Sequence, residues 1–193
     1  MLSQLSTLKS RLGIDDFSVE FDTLLTNALT ALSSRFDKET NRTLARTADS
    51  LFEFRGDETE IIFPCFPVES ISKFELKSNE TDGWVEQTAV EYLIRRTCII
   101  SLSQPLGTWR DQARITYTGG YVLPGTTPSV GQTALPSDLE QAAVEQVVYW
   151  FRNREKLGLL RFWPHQGTYE QLSAVDLLPS VKQVLKHHER WSI

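Results

Sequence analysis

Residues 114–155, RITYTGGYVLPGTTPSVGQTALPSDLEQAAVEQVVYWFRNRE, contain the change of pattern that decides the fold. Residues 114–118 alternate polar and apolar side chains, which predicts a half-buried strand that ends at a glycine turn. Residues 121–136 have three prolines, two glycines and no periodicity, and this composition predicts a long loop. From 137 to 155 apolar residues recur every three or four positions, as in a helix that buries one face.

The start of this helix has the sequence of a capping box. The Ser137 hydroxyl is expected to accept the N–H of the third helical residue, while Glu140 reaches back to the start of the helix. The predicted buried stripe consists of Leu139, Ala142, Ala143, Val147 and Trp150.

Upstream, residues 1–42 read as helical. Leucines at helical spacing predict a short helix over 3–12 that Gly13 stops, and a longer apolar stripe predicts a second helix over 19–39. Asn41 and Arg42 follow the second helix.

Residues 49–118 read as an antiparallel β unit of about six short strands, because side chains alternate and turn residues intervene. Within 71–77, Phe74 and Leu76 are expected on one face, with Lys73, Glu75 and Lys77 on the other. The predicted strands are 50–55, 61–63, 71–77, 92–95, 99–102 and 114–118.

After an irregular stretch at 157–178, Pro179 opens a last helix within 179–193. The order helix, helix, β unit, helix, helix predicts an α+β fold. Helices from both ends of the chain form a small bundle, and the β unit is inserted between them. We expect one domain over residues 1–193.

Composition restricts the possible functions. The net charge of −5 disfavours tight nucleic-acid binding, which needs clustered Lys and Arg. No stretch approaches the length of apolar sequence that crosses a bilayer, and the N-terminus lacks a secretory signal, so no membrane contact is expected. Cys65 and Cys98 are predicted to be reduced, buried strand residues, with a disulfide or metal role as the alternative.

Catalytic and metal-binding patterns are missing from the sequence. His187 and His188 are adjacent, so on a helix their side chains point about 100° apart and cannot share a metal. The third histidine, His165, lies in the irregular stretch. We therefore predict no catalytic residues, no metal site, no cofactor and no enzyme activity.

The last helix carries Lys182, Lys186 and Arg190 at intervals of four residues. The stripe has two interpretations: a solvated face that complements the helix dipole, or a docking arm completed by Trp191 and Ile193. In the second case, we expect the free subunit to order 179–193 only on docking.

Taken together, these segments resemble the head–tail connector (adaptor) proteins of tailed bacteriophages. The central strand, loop and helix opening are similar to the family pattern, and so are residues 66–71, the N-terminal half and the C-terminal helix. The matching central residues are Ile115, Tyr117, Thr118, Gly120, Tyr121, Pro136, Asp138, Leu139 and Ala142.

The resemblance implies a structural protein of the virion neck, assembled in the host cytoplasm. Such proteins form a ring of copies, usually twelve, beneath the portal protein. The ring extends the DNA channel and offers a platform for the next neck protein, a stopper or terminator. Genomic DNA would pass through without specific binding. The alternatives are another neck component, such as a tail-completion or terminator protein, and a small enzyme or nucleic-acid-processing factor.

This reading assigns three candidate surfaces. Residues expected to dock on the portal are Lys182, Val184, Lys186, Arg190, Trp191 and Ile193. Residues expected between neighbouring subunits are Ala142, Glu145, Tyr149 and Arg152, which face the β unit of the next copy. Loop residues expected to meet the next neck protein or line the channel are Tyr121, Thr126, Thr127, Asp82 and Trp84.

Overall fold

The computed structural model describes residues 1–155 and 176–190, and the chain divides into two compact units. Of the described residues, 1–40, 135–155 and 176–189 form the helical unit, and 41–134 with 190 form the β unit. The predicted α+β class is confirmed, with helices from both ends of the chain and strands in the middle. The single domain expected over the whole chain stays a prediction.

Helices from both ends of the sequence pack together in the helical unit. Its described residues form α1 (Leu5–Leu12), α2 (Asp22–Glu39), α3 (Ser137–Arg152) and α4 (Pro179–His187). The other three helices all contact α3. The fully or almost fully buried apolar side chains are Leu8, Leu25, Leu29, Leu32, Phe36, Leu139, Ala142, Ala143, Val147, Val181 and Leu185.

Two helix starts differ from the predictions. Helix α2 begins at Asp22 rather than at 19, because residues 15–18 form a turn in which the Asp15 carbonyl accepts the N–H of Ser18 (3.0 Å). The capping box is also wrong. Pro136 precedes α3 without a side-chain cap, and Glu140 Oε1 instead accepts the hydroxyl of Ser3 (3.2 Å).

The β unit contains every predicted strand and adds others. Its strands are β1 (Thr47–Arg55), β2 (Glu60–Ile62), β3 (Val68–Lys77), β4 (Val85–Gln87), β5 (Tyr92–Arg95), β6 (Ile99–Leu102), β7 (Gln112–Gly119), β8 (Tyr121–Val122) and β9 (Thr133–Ala134). One antiparallel sheet has the order β1-β7-β3-β4 and the other has the order β2-β6-β5. The parallel pair β8-β9 lies inside the stretch predicted to be loop.

The core of the β unit contains side chains from both of these sheets. Phe63 packs against Tyr117 with ring centroids 4.2 Å apart, and Ile61, Ile100 and Ile115 are buried beside them. The Tyr117 hydroxyl accepts the buried N–H of Cys65 (3.2 Å). The phenolic hydroxyl therefore has a hydrogen-bond partner inside the core. Burying it without one would cost free energy.

The two glycines at the end of β7, Gly119 within the strand and Gly120 after it, allow close backbone approach. Gly120 has a φ of 99°, and a Cβ there would lie 2.7 Å from the carbonyl oxygen of Ala45. A Cβ at Gly119 would lie 2.5 Å from the carbonyl oxygen of Cys65. The predicted glycine turn is therefore confirmed at Gly120, and Gly119 is needed for space.

Glu75 was expected on the face of β3 that also carries Lys73 and Lys77. It is 5% exposed, with its carboxylate 2.9 Å from Lys73 Nζ and 2.7 Å from Arg114 Nη2. The Arg114 guanidinium in turn lies 4.3 Å from the ring centroid of Trp84. Burial would raise the pKa of Glu75, but the bonds and charges of Lys73 and Arg114 lower it overall. An alternating pattern alone cannot show that an outward carboxylate is covered by its neighbours.

We expect Arg114→Met to lower the free energy of unfolding by about 1–3 kcal/mol, because Glu75 would lose its more buried partner. The control Lys73→Met should cost less than about 1 kcal/mol, since Lys73 is 39% exposed. Urea unfolding of both variants measures the difference, and equal losses would contradict the importance of the buried pair.

Candidate assembly surfaces

Helix α4, the predicted docking arm, is folded against its own chain. Val181 and Leu185 are buried in the helical unit, and α4 contacts α3. Its end is fixed by a 2.8 Å hydrogen bond between His188 Nε2 and Asp138 Oδ2. The apolar face of α4 therefore already has a partner within the chain, and the expectation that 179–193 orders only on docking stays a prediction.

The bond to His188 also affects the carboxyl group of Asp138. Burial alone would raise the pKa of its carboxyl, but the hydrogen bond and charge of His188, with the backbone N–H of Leu139, lower it overall. The ionised carboxylate therefore connects the first turn of α3 to the end of α4.

Gln146 of α3 fixes the other end of α4, and the sequence analysis missed it. This side chain is completely buried, and its Oε1 accepts the N–H of Leu178 (2.7 Å), the residue that precedes α4. Its Nε2 donates to the carbonyl of Asp176 (3.5 Å). The sequence did contain a signal for this role, because Gln146 places an amide side chain between Ala143 and Val147 of the apolar stripe.

The basic stripe of α4 is partly engaged within the chain. Lys182 Nζ lies 2.5 Å from Asp176 Oδ2, and Arg35 also pairs with Asp176. The hydrogen bond from Lys182 is the largest influence on the pKa of Asp176, followed by the N–H of Leu177, and together with the charges of Lys182 and Arg35 they lower it to about 2. Lys186 is exposed and Val184 is half-buried.

Arg190 was predicted to offer its charge to the portal protein, but it is engaged within its own chain. Its Nη2 donates to the carbonyl of Ile62 (2.5 Å), and its guanidinium lies 5.6 Å from the ring centroid of Phe52. Burial lowers the pKa of Arg190. The side chain is therefore part of the β unit, and we remove it from the docking set. Trp191 and Ile193 lie outside the described residues.

The predicted subunit-interface residues of α3 differ in exposure. Ala142 is 3% exposed and packs inside the helical unit, so it cannot meet another subunit. Glu145 and Tyr149 are half-buried and Arg152 is exposed. At intervals of three and four residues, these three lie along one side of α3.

Two of the predicted loop contacts are also placed differently. Tyr121 is 8% exposed, and its backbone N–H donates to the carbonyl of Leu44 (2.8 Å), so it belongs to the core rather than to a contact loop. Trp84 is half-buried against Arg114. Thr126, Thr127 and Asp82 are exposed on loops, as expected.

Several exposed apolar residues were not singled out by the sequence analysis. Phe17 is 95% exposed, Val19 75% and Leu93 64%. Helices α2 and α3 also border an apolar groove of about 330 Å³, lined in part by Leu24 and Trp150. The sequence signal that could have identified these residues was an apolar side chain in a turn or on the outer face of an edge strand.

In the described part of the chain, no cluster of three or more His, Cys, Asp or Glu residues could hold a metal. Across residues 1–155 and 176–190, no helix has both the length and the apolar character that a membrane crossing requires.

Cys65 is buried, and its thiol donates to the carbonyl of Gly119 (3.1 Å). The shifted carboxyls described above are held by hydrogen bonds and ion pairs.

No protein-family model and no curated protein matches the chain. Among solved structures, it is similar to a chain in the neck of an empty gene transfer agent (GTA) particle computed with C6 symmetry. The TM-score is 0.59 at 14% identity, covering 97% of this chain and 89% of the other.

Two further solved structures give the same result. A chain in the virion of a native GTA particle has a TM-score of 0.56 at 15% identity, with 97% of this chain and 89% of the other covered. A chain in the neck of a native GTA particle computed with C12 symmetry has a TM-score of 0.52 at 14% identity, covering 98% and 89%. The chain therefore has a fold that is found in the neck of a phage-like particle.

We expect Gln146→Leu to lower the free energy of unfolding by about 1–3 kcal/mol, because the N–H of Leu178 would be left without its acceptor. Gln141→Leu on the exposed side of α3 is the matched control and should cost less than about 0.5 kcal/mol. Urea denaturation followed by circular dichroism compares the two variants. If Gln146→Leu left the free energy of unfolding unchanged, the capping role would be contradicted.

Acid should remove a contribution that Asp176 makes to stability. Its pKa is about 2 in the folded chain against an ordinary 3.8, so the contribution is complete above pH 3.8 and is lost as the pH falls toward 2. We expect the stability difference between the wild type and Asp176→Asn to shrink over this range. Urea unfolding at several pH values measures it, and about 1 M salt should reduce the difference at all of them. A difference independent of pH would contradict this assignment.

Proposed function

We propose that this protein is a head-to-tail adaptor, a non-enzymatic neck component of a tailed phage or phage-like particle. The observation that supports this most is the extent of the structural likeness, which spans 97% of this chain and 89% of a neck chain. A shared fold does not by itself imply a shared role. The likeness gains weight because the sequence pattern of residues 114–155 independently resembles phage adaptors.

The proposed assembly is a ring of identical copies, twelve in number. A closed ring needs heterologous contacts, in which one patch of each copy meets a different patch of the next. We assign the exposed side of α3, with Glu145, Tyr149 and Arg152, to one side of the contact and the β unit to the other. Two similar chains come from necks computed with C6 and with C12 symmetry, and a ring of twelve copies is compatible with both.

The proposed partners above and below are the portal protein and the next neck protein, a stopper or terminator. For the portal we retain Lys182, Val184 and Lys186, together with the terminal residues Trp191 and Ile193. For the next protein, or for the channel surface, we retain the exposed loop residues Thr126, Thr127 and Asp82. DNA would pass without specific binding, since a net charge of −5 repels phosphate.

Electron microscopy of the purified neck tests the proposal. We expect density for this chain directly on the portal, in a ring of twelve copies. Density next to the tail tube would instead support the alternative, a terminator or tail-completion protein. Tight, salt-sensitive DNA binding by the isolated chain would contradict the structural role and favour a nucleic-acid-processing factor.

Portal binding should depend on the exposed basic residues of α4. The double variant Lys182→Glu, Lys186→Glu is expected to weaken binding to the portal protein by roughly tenfold, because reversal replaces attraction by repulsion. The fold should persist, which circular dichroism checks, because Val181 and Leu185 keep α4 packed when the half-exposed ion pair of Lys182 with Asp176 is lost. Lys38→Glu on exposed α2 is the control. Unchanged portal binding would refute the assignment of α4.

A further inference from the structure

An exposed loop in the helical unit presents apolar side chains in a fixed conformation. In this loop, which we call the Phe17 loop (residues 15–20), Phe17 is 95% exposed and Val19 is 75% exposed. Its charged residues Asp15, Asp16 and Glu20 are all exposed. Large apolar side chains at such exposure are characteristic of interaction sites when they are grouped and surrounded by polar residues.

The Phe17 loop is held by a buried lysine. Lys9 is 4% exposed, and its ammonium donates to the carbonyls of Asp16 (3.0 Å) and Ser18 (2.8 Å) and lies 2.6 Å from Asp22 Oδ1. The carboxylate of Asp15 accepts the N–H of Phe17 (2.8 Å). The apolar side chains are therefore exposed on a pre-organised turn, which reduces the entropy lost on binding.

The β unit has a surface of complementary character. In this surface, which we call the β5 edge (residues 92–96), strand β5 pairs with β6 on one side and ends its sheet on the other. Leu93 is 64% exposed and Ile94 39% exposed, and Arg95 and Arg96 are exposed after them. An apolar edge strand is a ready site for another chain.

The charges of the two surfaces favour a second copy of this protein as the chain that binds at the β5 edge. The Phe17 loop combines apolar side chains with three carboxylates, and the β5 edge combines apolar side chains with two guanidinium groups. Arg95 is 3.3 Å from Glu60 Oε1, but both side chains are more than half exposed, so this ion pair is weak and can be replaced. The two surfaces are different patches of the same chain, as a heterologous contact requires.

We propose that the Phe17 loop of one copy docks on the β5 edge of the next copy. Phe17 and Val19 would cover Leu93, the more exposed apolar residue of the edge, while Asp16 and Glu20 face Arg95 and Arg96. This inference rests on the proposed ring and names a contact that holds it together. Each copy uses one loop and one edge, so the contact is repeated from copy to copy until the ring closes.

Crosslinking within assembled particles tests the contact. Chains carrying Val19→Cys and Leu93→Cys together, treated with a short bismaleimide reagent, should give a series of linked copies extending beyond dimers. Each single variant and the wild type, which contains Cys65 and Cys98, provide the background. Particles that contain the chain but give no such series would overturn this inference alone. Dimers from Val19→Cys alone in a Cys98→Ser background would also overturn it, because the loop would then meet another loop, whereas the partly exposed Cys98 lies beside the β5 edge and could itself be linked. Absence of the chain from particles would overturn the proposed function.

Charge exchange provides an independent readout. Asp16→Lys with Glu20→Lys, or Arg95→Glu with Arg96→Glu, should each lower incorporation of the chain into particles by roughly tenfold. All four substitutions together should restore incorporation, because the attraction is rebuilt with opposite signs. The control Glu80→Lys reverses a carboxylate that is 91% exposed elsewhere and should have no effect. Failure of the fourfold variant to recover, or normal incorporation of the pairs, would overturn the contact.

Discussion

The helical unit depends on the burial of α3. Its apolar side contacts the helices from the N-terminus and also α4, so one surface joins segments that are more than a hundred residues apart in sequence. Burying side chains such as Leu139 and Val147 removes apolar area from water, which is the main favourable contribution to folding. Gln146 lies inside this apolar surface and uses both ends of its amide to position the start of α4.

The same physical logic explains the buried charges. Lys9, Glu75 and Arg190 are each withdrawn from water wholly or in part, and each has oxygen or nitrogen partners within hydrogen-bonding distance. A charge without such partners would be expensive to bury. These groups therefore stabilise the local geometry of the units that contain them.

Much of the architecture could be predicted from local patterns. Helical spacing predicted the four helices of the described residues, and alternation predicted the strands around Phe54 and Phe74, because the periods 3.6 and 2 follow from backbone geometry. The failures lie where partners are distant in sequence. Glu140 bonds to Ser3 instead of capping its own helix, and Tyr121 enters the core through Leu44 rather than joining a contact loop.

The sequence by itself determined the α+β class, the order of elements, the glycine turn after β7 and the resemblance to phage adaptors. These depend on residues close together along the chain. Only the tertiary structure decided which polar side chains are available to a partner. It withdrew Arg190, Ala142 and Tyr121 from the surface and revealed the exposure of Phe17 and Leu93. Exposure depends on which segments fold over a residue, and those segments are distant in the sequence.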